Sequence, residues 1–297
     1  MTLALDLFVN GLIFGLFYAL MAVGLAMIFG VLKIVNFAHG ELYMIGAYAY
    51  VLCALKLDIP PWLALTFAAA AGAALGWIIE RALMRPLYAG YASWGLMKDE
   101  YAVVVTFGLS LLLINLVDKV VGPYPYRGPA LIETSRFALG PVMMNGQKLI
   151  AAVVSIALLV GLALFLRRSL WGRQIQAVAQ NRLGASLAGI DATRTTSLVF
   201  AISGMLAALS GALLAPLINP SPDVGAFPAI KSYVIVVLGG MGSVWGATVA
   251  ALLLGVLESF FAVYVSYDYR DAFGLLVLML VLLFRPQGLF GERAREL

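Results

Sequence analysis

Apolar residues along this chain fall in long, nearly unbroken runs rather than at alternate positions or along one helical stripe. The runs cover residues 5–25, 37–55, 62–79, 101–117, 149–166 and 196–217, each near the ~20 residues with which a helix crosses a bilayer. A longer stretch extends from 233 to 265 and a last one from 272 to 284. Backbone groups in hydrocarbon must be satisfied within the chain, so each run is predicted to be helical. The ten-residue alternation of barrel strands is missing. The pattern predicts an all-α polytopic membrane protein with about eight transmembrane helices, forming one transmembrane domain over residues 1–297.

The 233–265 stretch is too long for one crossing. Gly239, Gly240 and Gly242 lie within it, and each glycine weakens a helix interior by about 1 kcal/mol. A broken helix is therefore predicted between Gly239 and Ser243, leaving a half-helix over 230–239 of the kind transporters use. The alternative is close helix packing through small residues. The segments "GELYMIGA" from Gly40 and "GMGSVWGA" from Gly240 share a G-x5-G-A spacing, a candidate internal repeat.

Composition agrees with the pattern: 63% of residues are hydrophobic, 11% charged, and the mean hydropathy is +1.00. Asp6 is the only charge ahead of the first run, with no basic segment before it, so that run reads as a span rather than a removable signal peptide. If the spans alternate, the basic residues divide twelve against seven. The richer set, including Lys33, Arg167, Arg168, Arg173 and the C-terminal arginines, is expected on the cytoplasmic side, and residues 118–147 and 218–228 outside. No basic cluster suggests nucleic acid, and the lone Cys53 has no disulfide partner. There is no phosphate-binding G-x-x-x-x-G-K-[ST] loop, no metal-ligand spacing and no recognisable nucleophile set. No metal and no cofactor is expected on this chain, and it is not expected to be an enzyme; any ATP-driven work belongs to another polypeptide.

Polar residues inside the apolar runs are the candidate functional groups. "VNFAHGELY" carries Asn36, the only histidine, His39, and Glu41. On one reading they sit at a helix break, bonding backbone groups or lining a path, since intramembrane ionisable residues usually face a bundle interior. On the other they cap the second span at the cytoplasmic interface, with Glu41 favoured by the helix dipole. Glu258 must face protein and pair with a partner or be protonated, and Glu80, Arg81 and Arg85 are expected to anchor the third span at the interface. Between spans, residues 168–195 form a long polar interruption. There Leu183, Leu187 and Ile190 fall at i, i+4, i+7, with Asn181 as cap and Gly189 as a left-handed stop. This short helix either lies on lipid headgroups or docks in a groove of a soluble partner.

As an ordered set, "KIVNFAHGELYMIGAY", "IERALMRPL", "GRQIQAVAQNRLGASLAGI", "VVLGGMGSVWGATVAALLLGVLE" and "LLFRPQGLFG" resemble the LivH-type permease subunits of branched-chain amino acid ABC importers, from about Gly11 to Gly291. The resemblance implies a multi-pass bacterial inner-membrane subunit importing branched-chain or other apolar amino acids. It also implies partners: a second permease of the LivM type, two cytoplasmic ATPases that carry the ATP, and a periplasmic substrate-binding protein. Residues 168–195 become the coupling loop, with Arg182, Leu183, Ala185, Ser186, Leu187, Gly189 and Ile190 as the segment seated on the ATPase. Asn36, His39, Glu41, Gly239, Gly240, Gly242 and Ser243 become candidates for the translocation path or gate. Gln176 and Ala177 stand where the family often has an arginine-alanine pair, and residues 95–105 are more charged than usual. A permease for urea or short amides, a secondary transporter and an intramembrane enzyme using His39 with Glu41 are the competing readings.

Overall fold

The computed structural model describes residues 2–89, 98–132, 137–139 and 142–291. Residues 95–97, which open the charged stretch, and Arg136, Arg293 and Arg295 lie outside the described residues. The elements are α1 (Thr2–Leu32), α2 (His39–Lys56), α3 (Pro61–Ile79), a π turn (Glu80–Met84) that continues into α4 (Arg85–Ala89), and α5 (Lys98–Val121). A short antiparallel hairpin, β1 (Phe137–Leu139) and β2 (Val142–Met144), precedes α6 (Gly146–Arg168). Then come α7 (Leu170–Gln180), α8 (Arg182–Leu187), α9 (Ala192–Ile218), α10 (Ala226–Gly239), α11 (Val244–Tyr264) and α12 (Arg270–Phe284). Among the described residues, six helices are long and apolar enough to cross a membrane: α1, α3 with its π turn, α5, α6, α9 and α11. The 14 residues of α10 reach only ~21 Å at 1.5 Å per residue, short of a ~30 Å hydrocarbon core.

The architecture is a pair of inverted units. One runs α1, an irregular segment at 33–38, the short α2, then α3; the other runs α9, an irregular segment at 219–225, the short α10, then α11. The first helix of each packs along the last helix of the other, α1 on α11 and α9 on α3. Both pairs are antiparallel: Gly11 and Gly15 meet Val256 and Leu252, while Gly72 and Gly76 meet Ala208 and Phe200. Between the units α1 and α9 also run antiparallel, with Gly24 at Ser203 and the Ser210 hydroxyl donating to the Phe17 carbonyl at 3.1 Å. The internal repeat thus differs from the one suggested by G-x5-G-A, because α2 corresponds to α10 and not to α11.

Close helix approach explains the small residues. A Cβ on Gly46 would lie 2.1 Å from the Ala208 carbonyl oxygen, and one on Gly211 2.1 Å from that of Tyr43, so α2 and α9 touch backbone to backbone. In lipid, where apolar surface gains nothing by leaving water, such contact is the main source of helix adhesion.

Two polar clusters brace this bundle. Glu80, fully buried, accepts from the Ser197 hydroxyl at 2.6 Å and from Arg85 at 3.2 Å, joining the π turn to α9. Arg85 therefore turns inward, while Arg81 stays exposed over the Trp77 ring as an interfacial anchor. Glu258 on α11 receives the ammonium of Lys231 from α10, and Arg270 of α12 lies 3.5 Å from its other oxygen. Lys231 also reaches Asp271 at 3.3 Å, so one network ties three helices.

Deleting one partner of a buried ion pair costs about 3–5 kcal/mol, whereas removing both is far milder. Lys231→Met should accordingly lower the melting temperature of the detergent-purified chain, and Lys231→Met with Glu258→Met should recover most of the loss. Equal melting of wild type and the single variant would show that the network is solvated.

Candidate functional site

After α1 the chain reverses at Lys33, whose φ of 58° is left-handed, and returns along the helix it has just left. His39, fully buried, places Nε2 3.0 Å from the Met21 carbonyl. A carbonyl only accepts, so Nε2 carries the hydrogen. Met21 precedes the end of α1 by eleven residues, ~16 Å of helix. Residues 36–39 therefore lie deep in the bundle and not at the interface where capping would put them. The Asn36 side chain accepts from the Ala38 N–H at 3.1 Å, and the Phe37 N–H donates to Thr106 of α5 at 3.1 Å. Glu41 accepts from the Ser110 hydroxyl at 2.8 Å.

The second unit repeats the move from the other end. Asn219, with φ 49°, ends α9, and the chain turns inward through 220–225 to start α10. Gly225 rests on Gly40, where a Cβ would come within 2.5 Å of the Gly225 carbonyl oxygen. Tyr233 of α10 donates its hydroxyl to the Asn36 carbonyl at 2.5 Å. Two half-helices thus begin against each other inside the bundle, each presenting first-turn N–H groups and the positive end of its dipole. Asn36 Nδ2, His39 Nδ1 and Glu41 Oε2 are buried here without a hydrogen-bond partner among the described residues.

Gly239, Gly240, Gly242 and Ser243 form a separate feature. They close a tight turn from α10 into α11, with Gly240 at φ 99° and Gly242 at φ 91° and the Ser243 hydroxyl capping the Gly246 N–H at 3.0 Å. This break is where the glycines predict it. Gly242 sits beside Gly30, near the end of α1, so the turn belongs to that end of the bundle and not to the meeting point of the half-helices. The carbonyls freed at the end of α10 take N–H groups from Leu289 (2.8 Å) and Phe290 (3.1 Å). The "RPQGLFG" stretch is therefore the cap of α10, which sequence reasoning missed; its Pro-x-Gly after an apolar run marks only a helix stop.

The polar interruption is a two-helix arm. Ser169 caps α7 at Gly172, and α7 folds back on α6, with the Gln176 amide donating to the Leu166 carbonyl at 2.9 Å. Asn181 caps α8 at Gly184 (2.8 Å), Gly189 is left-handed at φ 83°, and Asp191 caps α9. Ala185 is buried, Ser186 bonds back to the Arg182 carbonyl at 3.0 Å, and Ile190 packs on the core. Leu183 and Leu187 face outward with 72% and 82% of their surface exposed. The expected three-residue stripe thus splits, leaving two leucines side by side. The helix α7 was not foreseen, although Ser169 and the buried Ile175 and Val178 mark it.

Inverted units, half-helices meeting inside the bundle and a short helix presented on a capped arm define the build of a membrane transport protein. Residues 7–282 match the family model described as branched-chain amino acid transport system / permease component, and the chain belongs to that family. It is 38% identical over 302 residues to the high-affinity branched-chain amino acid transport system permease protein BraD of Pseudomonas aeruginosa, covering 96% of this chain and 94% of that one. Against LivH of Escherichia coli K12 the identity is 32% over 297 residues, covering 95% and 94%. LivM of the same strain is 28% identical over 299 residues, covering 92% of this chain and 67% of LivM. No solved structure matches the chain significantly.

The meeting of the half-helices tolerates no side chain. Gly40→Ala should abolish transport in membrane vesicles and lower the melting temperature. Gly108→Ala, where a Cβ meets nothing within 4 Å, should leave transport intact and stabilise α5 by up to about 1 kcal/mol. If both variants behave alike, the Gly40–Gly225 contact has no special role.

Proposed function

We propose that this chain is the membrane-spanning permease subunit of an ATP-driven importer of branched-chain amino acids in the bacterial inner membrane. It works beside a second, LivM-like permease, two cytoplasmic ATPases that bind and hydrolyse the ATP, and a periplasmic binding protein that delivers the substrate. Family membership supports the substrate class. The observation that carries the coupling role is the arm: two leucines on a capped helix, exposed beyond the spans, fit the apolar groove of a soluble partner.

The geometry supplies a route for the coupling. Asp191 joins α8 directly to α9 through its cap on Thr193 and Arg194 (both 3.0 Å), and α7 is fastened to α6 through Gln176. Closure of the ATPases would displace α8 and, through it, the near end of α9. The far end of α9 leads into residues 219–225, the segment that rests on Gly40. Tilting α9 would shift Gly225 against Gly40, with Asn36, His39 and Glu41 as the polar groups of the gate. The turn from Gly239 through Gly240 and Gly242 to Ser243 is the fixed end of the second half-helix.

A tagged chain purified in mild detergent from its native membranes should bring with it an ATPase bearing a phosphate-binding loop. Leu183→Asp with Leu187→Asp should remove that ATPase while the melting temperature stays unchanged, because both side chains already face outward. Retention of the ATPase by the double variant would place the docking surface elsewhere, and its absence from an intact wild-type complex would favour a secondary transporter.

A further inference from the structure

A cavity of about 390 Å3 opens between α1, α6, α7 and the start of α11. It lies at the end of the bundle that holds Gly30 and the turn at Gly242, apart from the meeting of the half-helices. Met27 of α1, Leu162 of α6 and Ile175 of α7 contribute its apolar wall. Its size falls in the range of ligand pockets, and a wall this apolar offers water few of the partners it needs.

Few polar groups line it, and most are already engaged. Gln176 donates to the Leu166 carbonyl, Ser243 accepts from the Gly246 N–H, and Thr248 donates to the Val244 carbonyl at 2.9 Å. Arg167 is different. Its guanidinium lies over the Trp245 ring, 5.8 Å from the centroid, and no carboxylate pairs with it among the described residues. From α6 to the end of the segment after α8, residues 146–190 contain Lys148, Arg167, Arg168, Arg173 and Arg182 but no aspartate or glutamate. Lys33 adds a further cation beside Gly242. Exposed Trp171 and Trp245 mark this level as a membrane boundary, where indole rings settle.

An apolar slot with a basic rim at the headgroup level is complementary to one kind of molecule. We infer that an anionic phospholipid occupies this cavity, with one acyl chain against Met27 and Leu162 and its phosphate on Arg167. Basic pockets between transmembrane helices hold anionic headgroups in this manner. The lipid would lie between the α1–α11 pair and the α6–α7 arm, so its presence sets how closely the arm seats on the bundle. The inference depends on the membrane embedding and not on the transport reading.

The test uses the full chain, with whatever subunits co-purify with it, in nanodiscs doped with phosphatidylglycerol carrying a photoreactive diazirine on an acyl chain, or with phosphatidylcholine bearing the same chain. Labelled peptides are mapped by mass spectrometry. Phosphatidylglycerol should label the segments containing Met27 and Leu162 about fivefold more than phosphatidylcholine. Arg167→Gln should erase that excess, Arg167→Lys should keep it, and Ala163→Trp, which fills the cavity, should reduce labelling by both lipids. Melting temperatures establish that the variants are folded. Equal labelling by the two lipids, labelling untouched by Arg167→Gln, or labelling confined to residues outside the cavity each overturns the assignment.

Discussion

A peptide group in hydrocarbon has no water to bond, and this chain leaves helical geometry three times inside or at the edge of its bundle. Each departure is supported by groups from elsewhere in the chain. The Phe37 N–H goes to Thr106 of α5, the Asn36 carbonyl to Tyr233 of α10, and the Met21 carbonyl receives His39. The Pro220 carbonyl receives the N–H of Tyr126, and the last carbonyls of α10 receive those of Leu289 and Phe290. Segments far apart in sequence therefore become conditions for one another: the first break depends on α10, and α10 depends on the chain beyond α12.

Apart from these bonds, the helices of the two units approach nearly to backbone contact. That approach accounts for glycines such as Gly11, Gly46, Gly72, Gly211 and Gly255, where an added Cβ would meet a carbonyl oxygen within 3 Å. Gly108 on α5 and Gly161 on α6 have open space beside them. These two helices have mostly exposed surfaces, as expected of elements facing lipid or a neighbouring permease. Tightly packed inverted units and a looser periphery are thus two expressions of one constraint.

Most spans are legible in the sequence because run length alone reports them, and the Gly239–Ser243 break is legible because three glycines announce it. The interruptions near 33–38 and 219–225 also show as gaps between runs, but their return into the bundle is hidden, since their left-handed residues are Lys33 and Asn219 rather than glycine. Counting charges orients the ends of spans but says nothing of depth, which is why the sequence leaves Asn36, His39 and Glu41 open between an interfacial cap and a break inside the bundle, and the structure buries them. The partner of Glu258 could not be named in advance, because Lys231 stands 27 residues away on another helix. The stripe Leu183, Leu187, Ile190 fails for a local reason: α8 ends at Leu187, and the left-handed Gly189 turns Ile190 inward.

In the proposed mechanism the element linking arm and gate is α9, and its surface favours sliding over bending. It packs on α1, α2 and α3 through Ser203, Gly204, Ala208 and Gly211, small residues that form no deep interlock. Helices with such contacts accommodate motion by shear, in small translations that preserve packing. The Glu80–Ser197–Arg85 cluster bonds the near end of α9 to the π turn after α3. A π turn is a weak point in a helix, often placed where function needs compliance. In that mechanism a displacement entering at α8 would meet a bonded but yielding joint first, and residues 198–218 of α9 beyond it would carry the motion toward Gly225. The change would then fall on the meeting of the half-helices, where Gly225 rests on Gly40 and Tyr233 bonds the Asn36 carbonyl.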